Sequence, residues 1–85
     1  MNVTIDCSRI QSKEDLHRIF SEALSFPAWY GKNLDALHDC LTVLSGTIRL
    51  ENWEEVEARL GKYGTAAKKA IVSAGFENTE LTIIL

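Results

Sequence analysis

No stretch of this 85-residue chain comes near the roughly 18 consecutive apolar residues of a membrane span, and its N-terminal MNVTIDC lacks the basic and apolar regions of a signal peptide. The expectation is a cytoplasmic chain with no membrane partner. Cysteine is scarce. Cys7 and Cys40 show neither CxxC nor Cys/His ligand spacing, so free, buried thiols are expected rather than a disulfide or a metal centre. HExxH, GxSxG and a Gly-rich phosphate loop are all missing, which removes the usual sequence marks of hydrolases and nucleotide binders. Positive charge is also short. Nine Lys and Arg stand against twelve Asp and Glu, a net charge of −3, which is the wrong sign for a nucleic-acid surface.

What is present is ordinary for one small globular domain, with 46% hydrophobic and 25% charged residues and no repeat or linker. The charge is unevenly spread. Residues 1–32 balance four acidic groups with four basic ones, whereas 33–57 carry Asp35, Asp39, Glu51, Glu54, Glu55 and Glu57 against Arg49 alone. Acidity is concentrated in the middle of the chain.

Val3, Ile5 and Cys7 alternate with Thr4 and Asp6, predicting a strand over 2–6. Ser12 before Lys13-Glu14-Asp15 starts a helix of about 13–25, with Leu16, Ile19, Phe20, Ala23 and Leu24 at helical spacing. Pro27 ends it, and an aromatic loop runs from Phe26 to Gly31. Asn33 reads as the N-cap of a second helix that Gly46 breaks, and Thr47 to Leu50 as a second strand. Asn52 with Glu55 reads as the cap of a short third helix terminated by Gly61 and Gly64. Thr65 reads as the cap of a fourth helix reaching about Ala74 and stopped by Gly75. The closing Leu81 to Leu85 reads as a strand buried on both faces. The order β-α-α-β-α-α-β predicts an α/β fold with parallel strands joined by crossovers.

The second helix, within NLDALHDCLT at 33–42, carries the chemistry. Leu34, Leu37, Cys40, Leu41 and Leu44 fall on one stripe, while Asp35, His38, Asp39 and Thr42 fall on the other. Asp35 and Asp39 are at i and i+4, a like-charge pairing that costs a helix about 0.2–0.5 kcal/mol. Asp35 gains from the helix dipole in the first turn; Asp39 does not. The pair points to a surface meant for positive charge on another molecule. Asp35, His38 and Asp39 also make a candidate acid/base or metal group, although a hydrolytic metal site would want further ligands. Of Trp29 and Tyr30, one is expected to cap the core and the other to face outward as an interface anchor. The acidic run from Glu51 to Glu57 reads as a solvated helix face, since Arg59 follows Glu55 at i+4.

The segment PAWYGKNLDALHDCLT, with DLH at Asp15 to His17, Trp53 and the closing TIIL, resembles the barstar family of intracellular ribonuclease inhibitors. The YGxNLDALxDCL core is long and irregular, and the likeness spans nearly the whole chain. The resemblance implies a three-stranded parallel sheet with about four helices on one side. It also implies a protein that is no enzyme and needs no cofactor. It would block a secreted barnase-type ribonuclease in a 1:1 complex, using the second helix and the loop before it, and would be monomeric when free. Carried over residue by residue, Asp39 is the main acidic contact and Asp35 a second, with Gly31 and Asn33 in the entering loop and Glu77 a further acidic contact on the last helix. The candidate partner-binding set is completed by Trp29, His38 and Thr42. The chain departs from the family prototype where Trp29 replaces a tyrosine, His38 and Leu44 replace tryptophans, and Ser73 replaces a glutamate. An immunity protein of the same fold aimed at a different toxin is the alternative. A small enzyme and a purely structural or regulatory domain are further alternatives.

Overall fold

A computed structural model describes all residues, Met1–Leu85. Strand β1 (Asn2–Asp6) is followed by a 3-10 turn (Cys7–Arg9), helices α1 (Lys13–Leu24) and α2 (Leu34–Leu41), and strand β2 (Gly46–Glu51). Helices α3 (Trp53–Leu60) and α4 (Lys62–Glu77) then lead to strand β3 (Leu81–Ile84). The strands form one parallel sheet in the order β1-β2-β3. The expected element order and fold class are those of the structure.

Side chains alternate across the strands, so Ile5, Ile48, Leu50 and Leu81 enter the core while Thr4, Arg49 and Thr82 are exposed. In register, Thr4 lies beside Arg49 and Arg49 beside Ile84, so one face of the sheet is polar and open. This corrects the expectation for β3, which lies at an edge and is buried on one face only. An unbroken apolar run hides the period-two signal that would have revealed this.

Helix boundaries also differ from expectation. Helix α4 begins at Lys62 and runs through both Gly64 and Gly75 to Glu77, so neither glycine is a terminator and Thr65 is not its cap. Both glycines serve close packing. A Cβ at Gly64 would lie 2.9 Å from Cα of Glu57 in α3, and one at Gly75 would lie 3.0 Å from Cγ1 of Ile83 in β3. Asn52 precedes α3 but makes no capping bond. It takes left-handed backbone angles and donates through Nδ2 to Asp6 Oδ1 at 3.1 Å. Helix α2 stops at Leu41, well before Gly46, and the chain beyond it is held from the end of α4. Asn78, just past α4, donates to the carbonyls of Leu41 and Leu44 at 3.1 and 2.6 Å.

The core contains one buried ionisable group of note. His17, 3% exposed, bonds the Tyr30 hydroxyl through Nδ1 and the Tyr63 hydroxyl through Nε2, both at 2.7 Å. A neutral imidazole donates from one nitrogen and accepts at the other, so the two hydroxyls take opposite roles. Burial lowers the His17 pKa from 6.5. Since the unfolded chain binds the proton more readily, this contribution is full above pH 6.5 and is lost as pH falls below it. Urea midpoints should therefore decline on acidification through pH 6 in the native chain and decline less in His17→Gln. Parallel declines would refute the assignment.

Candidate functional site

The loop after α1 places the site. Tyr30 is 6% exposed and Trp29 is 80% exposed, which settles which ring is the core cap and which faces outward. The deciding partner is His17, thirteen residues upstream, which holds the Tyr30 hydroxyl; the Phe26 ring adds a tilted contact at 4.8 Å between centroids. Lys32 turns the chain through a left-handed conformation at φ 54°. Asn33 then caps α2 as expected. Its Oδ1 accepts from the Ala36 N–H at 2.8 Å, and its Nδ2 donates to the Gly31 carbonyl at 3.3 Å.

Helix α2 divides as its sequence predicts. Leu37 and Leu41 are fully buried, with Leu34, Cys40 and Leu44 half-buried beside them. Asp35 and Asp39 are exposed, the side chain of Asp39 by 84%. Thr42, half-buried, follows at the end of the helix. Its hydroxyl donates to the Asp39 carbonyl at 2.7 Å and helps finish the helix.

Two grooves flank this ridge. On one side, Pro27, Trp29, Tyr30, Asp39, Cys40 and Leu44 line part of an apolar cleft of about 470 Å³. Val43, 82% exposed and one turn beyond Asp39, lies along it as an apolar contact that the stripe from Leu34 to Leu44 does not include. On the other side, Asp35, His38, Lys69 and Ser73 line a groove of about 410 Å³ between α2 and α4. His38 crosses that groove. Its Nε2 bonds Oε2 of Glu77, and its Nδ1 lies 3.6 Å from Oδ1 of Asp39. The hydrogen bond that the ring donates to the Glu77 carboxylate, aided by Asp39, raises the His38 pKa above 6.5. Asp39, His38 and Glu77 are thus brought together, whereas Trp29 and Gly31 belong with Asp39 on the opposite groove.

The acidic groups sort by partner. In the run from Glu51 to Glu57, Glu55 meets Arg59 at 3.0 Å and Glu57 meets Lys68 at 3.8 Å. Asp35 and Asp39 meet no Lys or Arg, and neither do Glu51 and Glu54 of that run. No three His, Cys, Asp or Glu side chains converge closely enough to hold a metal ion. The two thiols are free, with Cys7 buried and Cys40 half-buried at the apolar cleft.

An open three-stranded parallel sheet, bearing on its second helix two exposed carboxylates without a Lys or Arg partner, defines a small α/β protein with an acidic face. The family model described as "Barstar (barnase inhibitor)" matches residues 1–80. A protein of Bacillus subtilis (strain 168) named "Putative ribonuclease inhibitor YrdF" is 38% identical over 87 residues, covering 98% of this chain and 96% of the relative. The chain belongs to the barstar family.

Proposed function

We propose that this protein is an intracellular inhibitor of a secreted barnase-type ribonuclease, monomeric when free and binding the enzyme 1:1. The observation that carries the reading is Asp39, exposed on a core-anchored helix, with Asp35 one turn before it and no Lys or Arg partner for either. A ribonuclease active site gathers cations to hold a phosphodiester. The two carboxylates would take the phosphate position with charge-assisted hydrogen bonds while the domain keeps RNA out. The repulsion between them in the free helix is then offset on binding. Trp29 supplies a large exposed ring at the edge of the same face, a residue type common at interface hot spots. Family membership and the name of the Bacillus subtilis relative support this reading.

Stoichiometric loss of RNA cleavage when the protein is titrated into a barnase-type ribonuclease is the test, and undiminished turnover at excess inhibitor would refute it. Association should also slow by an order of magnitude or more as the screening length shrinks from about 30 Å at 0.01 M salt to about 3 Å at 1 M. Stopped-flow rates that ignore ionic strength would argue against steering by the acidic face.

A second reading keeps the binding mode and changes the target. His38 and Leu44 stand where the family prototype has tryptophans, and groups at an interface rim govern partner choice more than binding mode. An immunity protein against a different exported toxin would inhibit that toxin, encoded beside this gene, and leave barnase-type enzymes active.

A further inference from the structure

The pairing of His38 with Glu77 gives the acidic face a proton to lose. Glu77 lies in the last turn of α4, and in the free protein its carboxylate is occupied by the His38 ring. The charged and titratable groups around that ring are Asp35 and Asp39 on its own helix, and Lys69 and Glu77 on α4. Three carboxylates thus oppose one ammonium. His38 also stands in the last turn of α2, where the helix dipole favours a cation. Its side chain is 27% exposed, so a partner docked on α2 covers it together with Asp39.

We propose that His38 releases its proton to solvent when a cationic partner docks on Asp35, Asp39 and Glu77, so that formation of the complex is linked to pH through this one ring. The inference rests on the function proposed above, because it requires a positively charged active site. That site takes over the carboxylates that favour the imidazolium. The ring is left facing like charge and stripped of water, and both changes disfavour its protonated form. Glu77 is freed from His38 in the same event and becomes a third carboxylate for the partner's cations. Tryptophan at this position, as in the family prototype, has no proton to exchange. Replacing it with histidine makes binding tighter as pH rises through the titration of the ring, by at most about tenfold per pH unit for a single proton.

Two measurements on the intact protein test this. In the free protein, the His38 ring should titrate above its ordinary value by proton NMR and move back toward 6.5 in Glu77→Gln. With a barnase-type ribonuclease as the probe, titration calorimetry in PIPES and in Tris near pH 7 should show more protons released by the native chain than by His38→Gln. The ribonuclease's own titrating groups contribute to both and cancel in the difference. Equal release with tight binding retained overturns the proton linkage and leaves the inhibitor reading standing. No binding by the native chain overturns both. An unmoved His38 titration in Glu77→Gln overturns the pairing on which the linkage depends.

Discussion

Asp39→Ala is expected to weaken binding to a barnase-type ribonuclease by about 2–5 kcal/mol, on the order of 30-fold to several thousand-fold, and to leave the fold intact. The range is that for truncating one member of a charge pair that becomes buried; charge pairs in this family's own complexes are among those from which it is drawn. Two consequences of one substitution separate cleanly because the side chain is 84% exposed in the free protein. Removing it leaves no cavity, relieves the i, i+4 repulsion with Asp35, and sacrifices only a 3.6 Å approach to His38. The Thr42 hydroxyl bonds the Asp39 backbone carbonyl, so the end of α2 survives truncation. Urea unfolding should therefore agree with the native chain to within about 0.5 kcal/mol, while calorimetric titration shows the loss. A loss of binding below tenfold would remove Asp39 from the centre of the interface.

The same loss should not follow from neutralising the other acidic segment. Glu55 and Glu57 are already matched by Arg59 and Lys68 within the protein, so they have little to offer an external cation. Charge count alone would rank Glu51 to Glu57 above Asp35 and Asp39. Position separates them further, because Glu51 and Glu54, which also lack a Lys or Arg partner, lie outside α2, whereas Asp35 and Asp39 stand one turn apart on it.

How much of this was legible in the sequence depended on the distance over which each feature is decided. The strand at 2–6, the Ser12 cap of α1 and the Asn33 cap of α2 are fixed by groups within three or four residues, and all appear as expected. The two-faced character of α2 was equally plain, because helical spacing alone separates Leu37 and Leu41 from Asp35 and Asp39. Features decided at long range were misread or missed. Gly64 looks like a helix stop, yet its role is set by the backbone of Glu57 in the neighbouring helix. Asn52 looks like a cap, yet its amide turns to Asp6, 46 residues away. The choice between Trp29 and Tyr30 was open until His17 decided it, and the clasp of His38 on Glu77 joins residues 39 apart. No local spacing encodes such pairs, so the acidic face could be read from sequence while its third carboxylate's partner could not.

Leu37→Ala is expected to show the opposite separation on the same helix. Leu37 is fully buried in the core beneath Asp35 and Asp39, and truncating a buried leucine costs about 2–5 kcal/mol, the larger values where the cavity cannot collapse. Collapse is resisted here. Helix α2 is pinned by the Asn33 cap at its start and by Asn78 bonding the carbonyls of Leu41 and Leu44 at its end, so it cannot readily sink into the void. Against the roughly 5–15 kcal/mol that holds a domain of this size folded, such a loss is large, and each kcal/mol should lower the melting temperature by about 4–8 °C. Well below that lowered transition, affinity for the ribonuclease should change less than tenfold, because the exposed carboxylates and the capped ends of the helix persist. Thermal unfolding and calorimetry on the same preparation measure both quantities. If Leu37→Ala weakens binding as severely as Asp39→Ala while costing little stability, the division of α2 into a supporting face and an inhibitory face is wrong. If stability falls and affinity holds, the buried stripe supports the fold, while the capped ends of α2 keep two mutually repelling carboxylates in the positions a cationic partner would meet.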